Sequence, residues 1–169
     1  MTKDPMEAVL KVYLKDFFTP NNLEQVFELI KKLPHENDGV IFTEVEAPYV
    51  IYTNEHIYKW KSPDKNTIDF KLHIDSDGKH WLQAVDNKDS VNIAVLEPIE
   101  AEKPFLEEGA ILECAYRNSD WRIDRRRGDK PHPNAKRVVE LVWKSITDNV
   151  TKHDLLNYRS APRKQNKPS

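Results

Sequence analysis

Two lysines straddle a tryptophan in Lys59-Trp60-Lys61. In an extended strand successive side chains alternate, so both ammonium groups share one face and the indole takes the other. That is a cationic pair on a rigid support. A solvated, lysine-rich edge strand is the plainer use of the same pattern. A second cationic concentration follows: Arg122, Arg125, Arg126, Arg127, Lys130, Lys136 and Arg137 lie together with only Asp124 and Asp129 among them. The stretch from Glu97 to Glu113 is acidic, and the net charge of the 169-residue chain is only −2. Such uneven charge suits a local anion site better than general polyanion binding. Asp38 precedes Gly39 and the apolar run Val40-Ile41-Phe42, which places its carboxylate at the mouth of a buried strand; an ordinary turn aspartate is the alternative.

These side chains need elements to hold them. From Ala8 to Phe18 apolar residues alternate with Lys11, Tyr13 and Lys15, a strand pattern. Thr19-Pro20 then opens a helix from about residue 20 to 33, with Leu23, Val26, Phe27, Ile30 and Leu33 at helical spacing and Pro34 as its stop. Glu44 to Pro48 reads as a loop, Tyr49 to Tyr52 as a short strand, and His56 to Lys61 as the strand with the lysine pair. Ser62-Pro63-Asp64 breaks that strand, which predicts a hinge between two sheets. Beyond it five short strands are expected: Thr67 to Asp75, His80 to Asp86, Val91 to Leu96, Ala110 to Tyr116 and Asp120 to Arg125. Their spacing predicts a small closed or partly closed barrel of the OB type, in an α+β chain. Two helices finish it, one capped by Asn134 and one opened by Thr151 with Asp154 three residues on.

Several classes are excluded or disfavoured. No apolar run approaches the roughly 20 residues that span a bilayer, and Met-Thr-Lys-Asp-Pro lacks the apolar core of a signal peptide, so an intracellular, soluble protein is expected. Cys114 is the single cysteine and cannot form an internal disulfide; it reads as a small strand residue. Trp121 and Trp143 are expected to pack, Phe70 falls on the apolar side of its strand, and Trp81 is open between core and surface. Residues 159–169 are basic and poor in apolar side chains, a flexible tail.

Four segments, in order and spacing, carry a resemblance. They are Asp38-Gly39-Val40-Ile41-Phe42; Lys59-Trp60-Lys61; Asn66-Thr67-Ile68-Asp69-Phe70-Lys71-Leu72; and Trp121-x-x-x-Arg125-x-Arg127-x-Asp129-Lys130. Together they resemble the later motifs of eukaryotic mRNA capping enzymes, the GTP:RNA guanylyltransferases of the covalent nucleotidyltransferase superfamily. The Val45 to Val50 loop and the Tyr13 to Phe18 stretch are similar to the fungal-type enzymes in particular. The resemblance implies that residues 1–62 are the C-terminal part of a nucleotidyltransferase domain of the ligase or ATP-grasp-like type. Residues 63–158 would then be an OB-fold barrel with terminal helices, ahead of the tail at 159–169. It implies GTP and 5′-diphosphate RNA as substrates, a divalent metal (Mg or Mn) and a nuclear location, with an RNA triphosphatase and the phosphorylated RNA polymerase II tail as further partners. By resemblance Asp38 holds the metal, and Lys59 and Lys61 reach the α-phosphate. Arg125, Arg127, Asp129 and Lys130 orient the β- and γ-phosphates from the barrel, which swings on the hinge.

One departure is large. The family's nucleophile lies in a Lys-x-Asp-Gly motif, and no such motif occurs in this sequence. The expectation is therefore the second half of a guanylyltransferase, unable by itself to form a lysine–GMP adduct. Asp124 before Arg125 and the run Pro131-His132-Pro133 are smaller departures. Arg122 and Arg126, off the Arg-x-Arg register, are either solvated or guides for RNA; Thr67 and Asp69 are open to a structural role at the hinge. Two other classes stand beside the capping enzyme: part of an ATP-dependent nucleic-acid ligase, which shares a Lys-x-Lys motif, and a non-catalytic OB-fold module that binds nucleic acid or protein.

Overall fold

The computed structural model describes residues 12–160. Two compact units are distinguishable, one of residues up to Glu36 together with those from Leu156, the other of Asn37–Leu155.

In the first unit Thr19 leads into a 3-10 turn, Pro20–Asn22, and then α1, Leu23–Ile30. Proline's fixed φ starts the turn. Leu23 and Phe27, one helical turn apart, are the buried residues of α1. The helix ends three residues sooner than its periodicity predicts, because the Lys32 and Leu33 amides tighten onto the Leu29 and Ile30 carbonyls. Residues 12–18 form no strand: nothing among the described residues pairs with them, and Val12, Tyr13 and Leu14 are exposed in succession. Alternation makes a strand only where a ladder partner exists. Residues 8–11 of that expected strand lie outside the described residues.

The second unit contains two sheets. β1, Gly39–Thr43, pairs antiparallel with β2, Ile57–Lys61, with Gly39 opposite Lys61 and Ile41 opposite Lys59. The strand expected at Tyr49 to Tyr52 is absent. Tyr49 and Tyr52 stand in solvent, and Tyr52 has φ +71°, a left-handed conformation that no strand continues through. After a 3-10 turn at Pro63–Lys65 come β3, Thr67–Ile74; β4, His80–Asp86; β5, Asp89–Leu96; β6, Ile111–Arg117; and β7, Asp120–Arg126. All neighbours are antiparallel, in the order β5-β4-β3-β6-β7. Ile68, Phe70 and Leu72 of β3 are completely buried, as alternation requires, with Leu82, Leu112, Trp121 and Val139 around them. Phe70 and Trp143 both pack with or near Trp121 in edge-on or tilted aromatic contacts.

The sheet is open rather than closed. No ladder joins β5 to β7 among the described residues. A side chain does part of that work: Glu102, buried in the 3-10 helix Glu100–Phe105 between β5 and β6, accepts the Ile123 amide of β7 at 2.7 Å and the Ile99 amide at 2.9 Å. α2 runs from Lys136 to Asp148 with Ala135 at its N-cap, so Asn134 does not cap it. Asn134 is instead stitched to the sheet: its side-chain oxygen accepts the Asp69 amide at 2.8 Å, its own amide donates to the Asp69 carbonyl at 2.7 Å, and its carbonyl accepts from the Val85 amide at 3.2 Å. Thr151 and Asp154 cap each other as their spacing predicts, and α3 occupies Lys152–Ser160, taking in the first two residues of the expected tail. No helix among the described residues is long and apolar enough to cross a membrane.

Candidate functional site

The singled-out residues fall into two groups. The first belongs to the small sheet. Lys59 and Lys61 share one face of β2, and Lys61 Nζ lies 3.0 Å from Asp38 Oδ2, at the entry to β1. Gly39 makes this approach possible. Its φ is +149°, and a β-carbon there would sit 2.1 Å from the Trp60 carbonyl oxygen. Lys59 is exposed and forms no ion pair among the described residues. Between the lysines the Trp60 indole donates to the Val150 carbonyl at 2.9 Å, and Lys59, Trp60 and Lys61 all line a cleft of about 160 Å³ that Val150 also borders. Among the described residues no group of three or more His, Cys, Asp or Glu is arranged to hold a metal ion. Asp38 offers one carboxylate, which fits a magnesium-type ion held by one protein oxygen, water and substrate phosphates.

The second group gathers at the end of β7, around a carboxylate. Asp69, in the middle of β3, is buried. Arg127 Nη1 donates to it at 3.0 and 3.3 Å, and Lys130 Nζ also donates to it. Arg127 Nη1 also donates to Glu113 Oε2 at 3.4 Å, and the guanidinium grips Asp129 with Nε to Oδ1 at 2.9 Å and Nη2 to Oδ2 at 2.8 Å, a bidentate fork. That fork holds the Asp129 carboxyl far below its ordinary value and the Arg127 guanidinium above its own. Arg125 Nε donates to Glu113 Oε2 at 2.6 Å, and Thr67 Oγ1 donates to Glu113 Oε1 at 3.0 Å. Burial pushes the Glu113 carboxyl up, but the bonds from Arg125 and Thr67 and the charge of both arginines bring it net below its ordinary value. Thus Arg125, Arg127, Asp129 and Lys130 lie in one charged cluster, linked through Asp69 and Glu113. No hydrogen bond or ion pair joins them to Asp38, Lys59 or Lys61 among the described residues.

Asp69, Glu113 and Asn134 organise this cluster without having been picked out for it. The signal for Asp69 was its place as a carboxylate among the buried alternation of Ile68, Phe70 and Leu72. The other cations of the basic stretch are also engaged. Arg122 bonds Asp120 and the Glu97 carbonyl, and Arg126 bonds Glu107, so neither is merely solvated. Asp124 is the extra residue of a bulge in β7, where Glu113 and Cys114 of β6 face Arg125 and Ile123, and it pairs with Arg117. Its departure from the usual motif therefore has a local structural use. Cys114 is buried, and burial raises its thiol well above the ordinary value, so it is inert. Trp81 is settled at a hairpin: its indole donates to Asp75 at 3.0 Å, with Lys79 over the ring.

Residues 65–156 match the family model of the mRNA capping enzyme C-terminal domain, and residues 2–63 match that of the mRNA capping enzyme catalytic domain. The chain belongs to the mRNA capping enzyme family. It is 32% identical to the mRNA-capping enzyme subunit alpha of Yarrowia lipolytica over 90% of this chain and 44% of that protein. It is likewise 32% identical to the mRNA-capping enzyme subunit alpha of Schizosaccharomyces pombe over 84% of this chain and 41% of that one. Identity to the mRNA-capping enzyme of Mus musculus is 30%, over 92% of this chain and 27% of the mouse protein. The chain therefore spans less than half the length of these curated relatives.

Proposed function

We propose that this chain is the phosphate-binding and barrel half of an mRNA guanylyltransferase, which moves GMP from GTP to the 5′-diphosphate end of RNA through a lysine-bound GMP. The observation that carries this reading is the small sheet, where Lys59 and Lys61 share a face and Lys61 meets Asp38 at 3.0 Å. Fixed cations beside the point where phosphate charge develops are what phosphoryl-type transfer requires of a protein. A divalent ion, when bound at Asp38, would supply further neutralisation of phosphate charge. Lys59 and Lys61 bind and orient the α-phosphate. Arg125, Arg127 and Lys130 bind the outer phosphates, with Asp129 aligning the Arg127 fork. The five-stranded order, with a helix between β5 and β6, supports an OB-type barrel for residues 63–158, and the change of family model between residues 63 and 65 supports a division at the Ser62-Pro63-Asp64 hinge. A nuclear location, and work beside an RNA triphosphatase and the phosphorylated polymerase II tail, go with the same reading.

Complementation tests it. This chain is mixed with a separately supplied N-terminal half of a related capping enzyme, and GMP transfer from GTP to 5′-diphosphate RNA is assayed. Transfer should appear, and should fall by about 10²-fold or more in Lys59→Ala, Lys61→Ala and Arg127→Ala, the scale of losing one transition-state charge contact. No transfer by a folded mixture, or transfer unmoved by all three substitutions, would overturn it.

A further inference from the structure

The bond from Trp60 to Val150 crosses the proposed hinge. Trp60 lies in β2, before Ser62-Pro63-Asp64; Val150 lies at the corner between α2 and α3, 90 residues later and near the end of the C-terminal-domain match. The corner is firmly shaped. Asn149 adopts a left-handed φ of +48° with its amide on the Ser145 carbonyl at 3.2 Å, and Thr151 opens the next cap with its own amide on Asp154 at 2.8 Å. Val150 is held on both sides, with its carbonyl presented to the indole.

α2 in turn moves with the barrel sheet. Val139 is part of the core, Ala135 bridges Val85 of β4, and Asn134 is bonded to Asp69 of β3. Rotation about the hinge would therefore drag the corner relative to β2. Trp60 and Val150 would have to part, and the cleft between the Pro63 turn and the end of α2, which Asn66 and Asp148 help to line, would open. We propose that the α2–α3 corner is a latch on the hinge, closed by the Trp60 indole on the Val150 carbonyl, beside the cleft that Lys59 and Lys61 also line. The latch rests on the hinge assigned in the proposed function.

The test measures distance in the full chain without nucleotide, so it stands apart from any outcome of the GMP-transfer assay. Spin labels on Glu55→Cys and Ser76→Cys, one exposed site on each side of the hinge, are read by double electron–electron resonance. Cys114, buried, escapes labelling. Trp60→Phe keeps an aromatic side chain, though a smaller one, and removes the donor; the longer-distance population should rise by at least roughly five-fold, the factor one net hydrogen bond contributes. Tyr58→Phe, on the same strand, should leave the distribution unchanged. Asn149→Ala disturbs the corner and leaves the indole intact, and should reproduce the Trp60→Phe distribution, so it decides the matter if circular dichroism shows Trp60→Phe to be unfolded. A parent-like distribution in the folded variants would overturn the latch, as would equal broadening in Tyr58→Phe.

Discussion

Asp69 is the residue on which the charged cluster at the end of β7 depends. One buried carboxylate receives Arg127 and Lys130, while its backbone is clamped by Asn134. Asp69→Ala leaves two cations without their shared partner in a partly buried place, and should cost about 3 kcal/mol in urea denaturation. Asp69→Asn, which keeps an acceptor, should cost less. Acid should loosen the same cluster. The Glu113 carboxyl lies net below its ordinary value of 4.5 because Arg125 and Thr67 outweigh its burial. A depressed native value means that the unfolded chain takes up the proton first, so this contribution is complete above about pH 4.5 and disappears as the pH falls through the native value. Asp64, lowered chiefly by Ser62, and Asp129, lowered chiefly by Arg127, have the same sign. The urea midpoint should drop on acidification below about pH 4.5, and Glu113→Gln should flatten that limb.

Among the elements, Gly39 makes the sharpest demand. Alanine there meets both an unfavourable φ of +149° and the Trp60 carbonyl, and Gly39 faces Lys61 across the ladder. Gly39→Ala should cost of order 3 kcal/mol and dislodge Lys61, visible as a lower urea midpoint and as lost GMP transfer in the complemented mixture. The strands of the larger sheet were legible to within a residue or two, because each carries its own alternation and turn residues. Residues 12–18 and 49–52 carry β-type residues as well and form no strand, since pairing is decided by a partner elsewhere in the chain. Asn134 shows the same limit: its type and position suited a cap, but the sheet two strands away claimed its side chain. That Arg125, Arg127, Asp129 and Lys130 lie close in sequence was plain, but that Asp69 and Glu113 are their counter-charges depended on which strands became neighbours.

Over the whole molecule, the acidic and basic stretches that look polarised in sequence fold onto each other. Glu107 meets Arg126, Glu113 meets Arg125 and Arg127, and Glu102 lies 3.9 Å from Arg122. With no Lys-x-Asp-Gly in its sequence, the 169-residue chain mixed with labelled GTP and metal should give no acid-stable labelled band on a denaturing gel; a band would place the nucleophile within it. The mutual neutralisation bears on how phosphate would arrive. Ordinarily lysines and arginines that neutralise a polyphosphate release the cations condensed on it, and affinity falls steeply as ionic strength rises. Here Arg125, Arg127 and Lys130 already carry counter-ions tethered to the same chain. Were these cations to bind phosphate as proposed, it would have to displace the carboxylate of Glu113 or Asp129, which would then take up cations from the buffer. Titrated with inorganic tripolyphosphate across a salt series, the chain should show a much shallower slope than its count of arginines and lysines implies, with specificity resting on the shape of the forks more than on bulk charge.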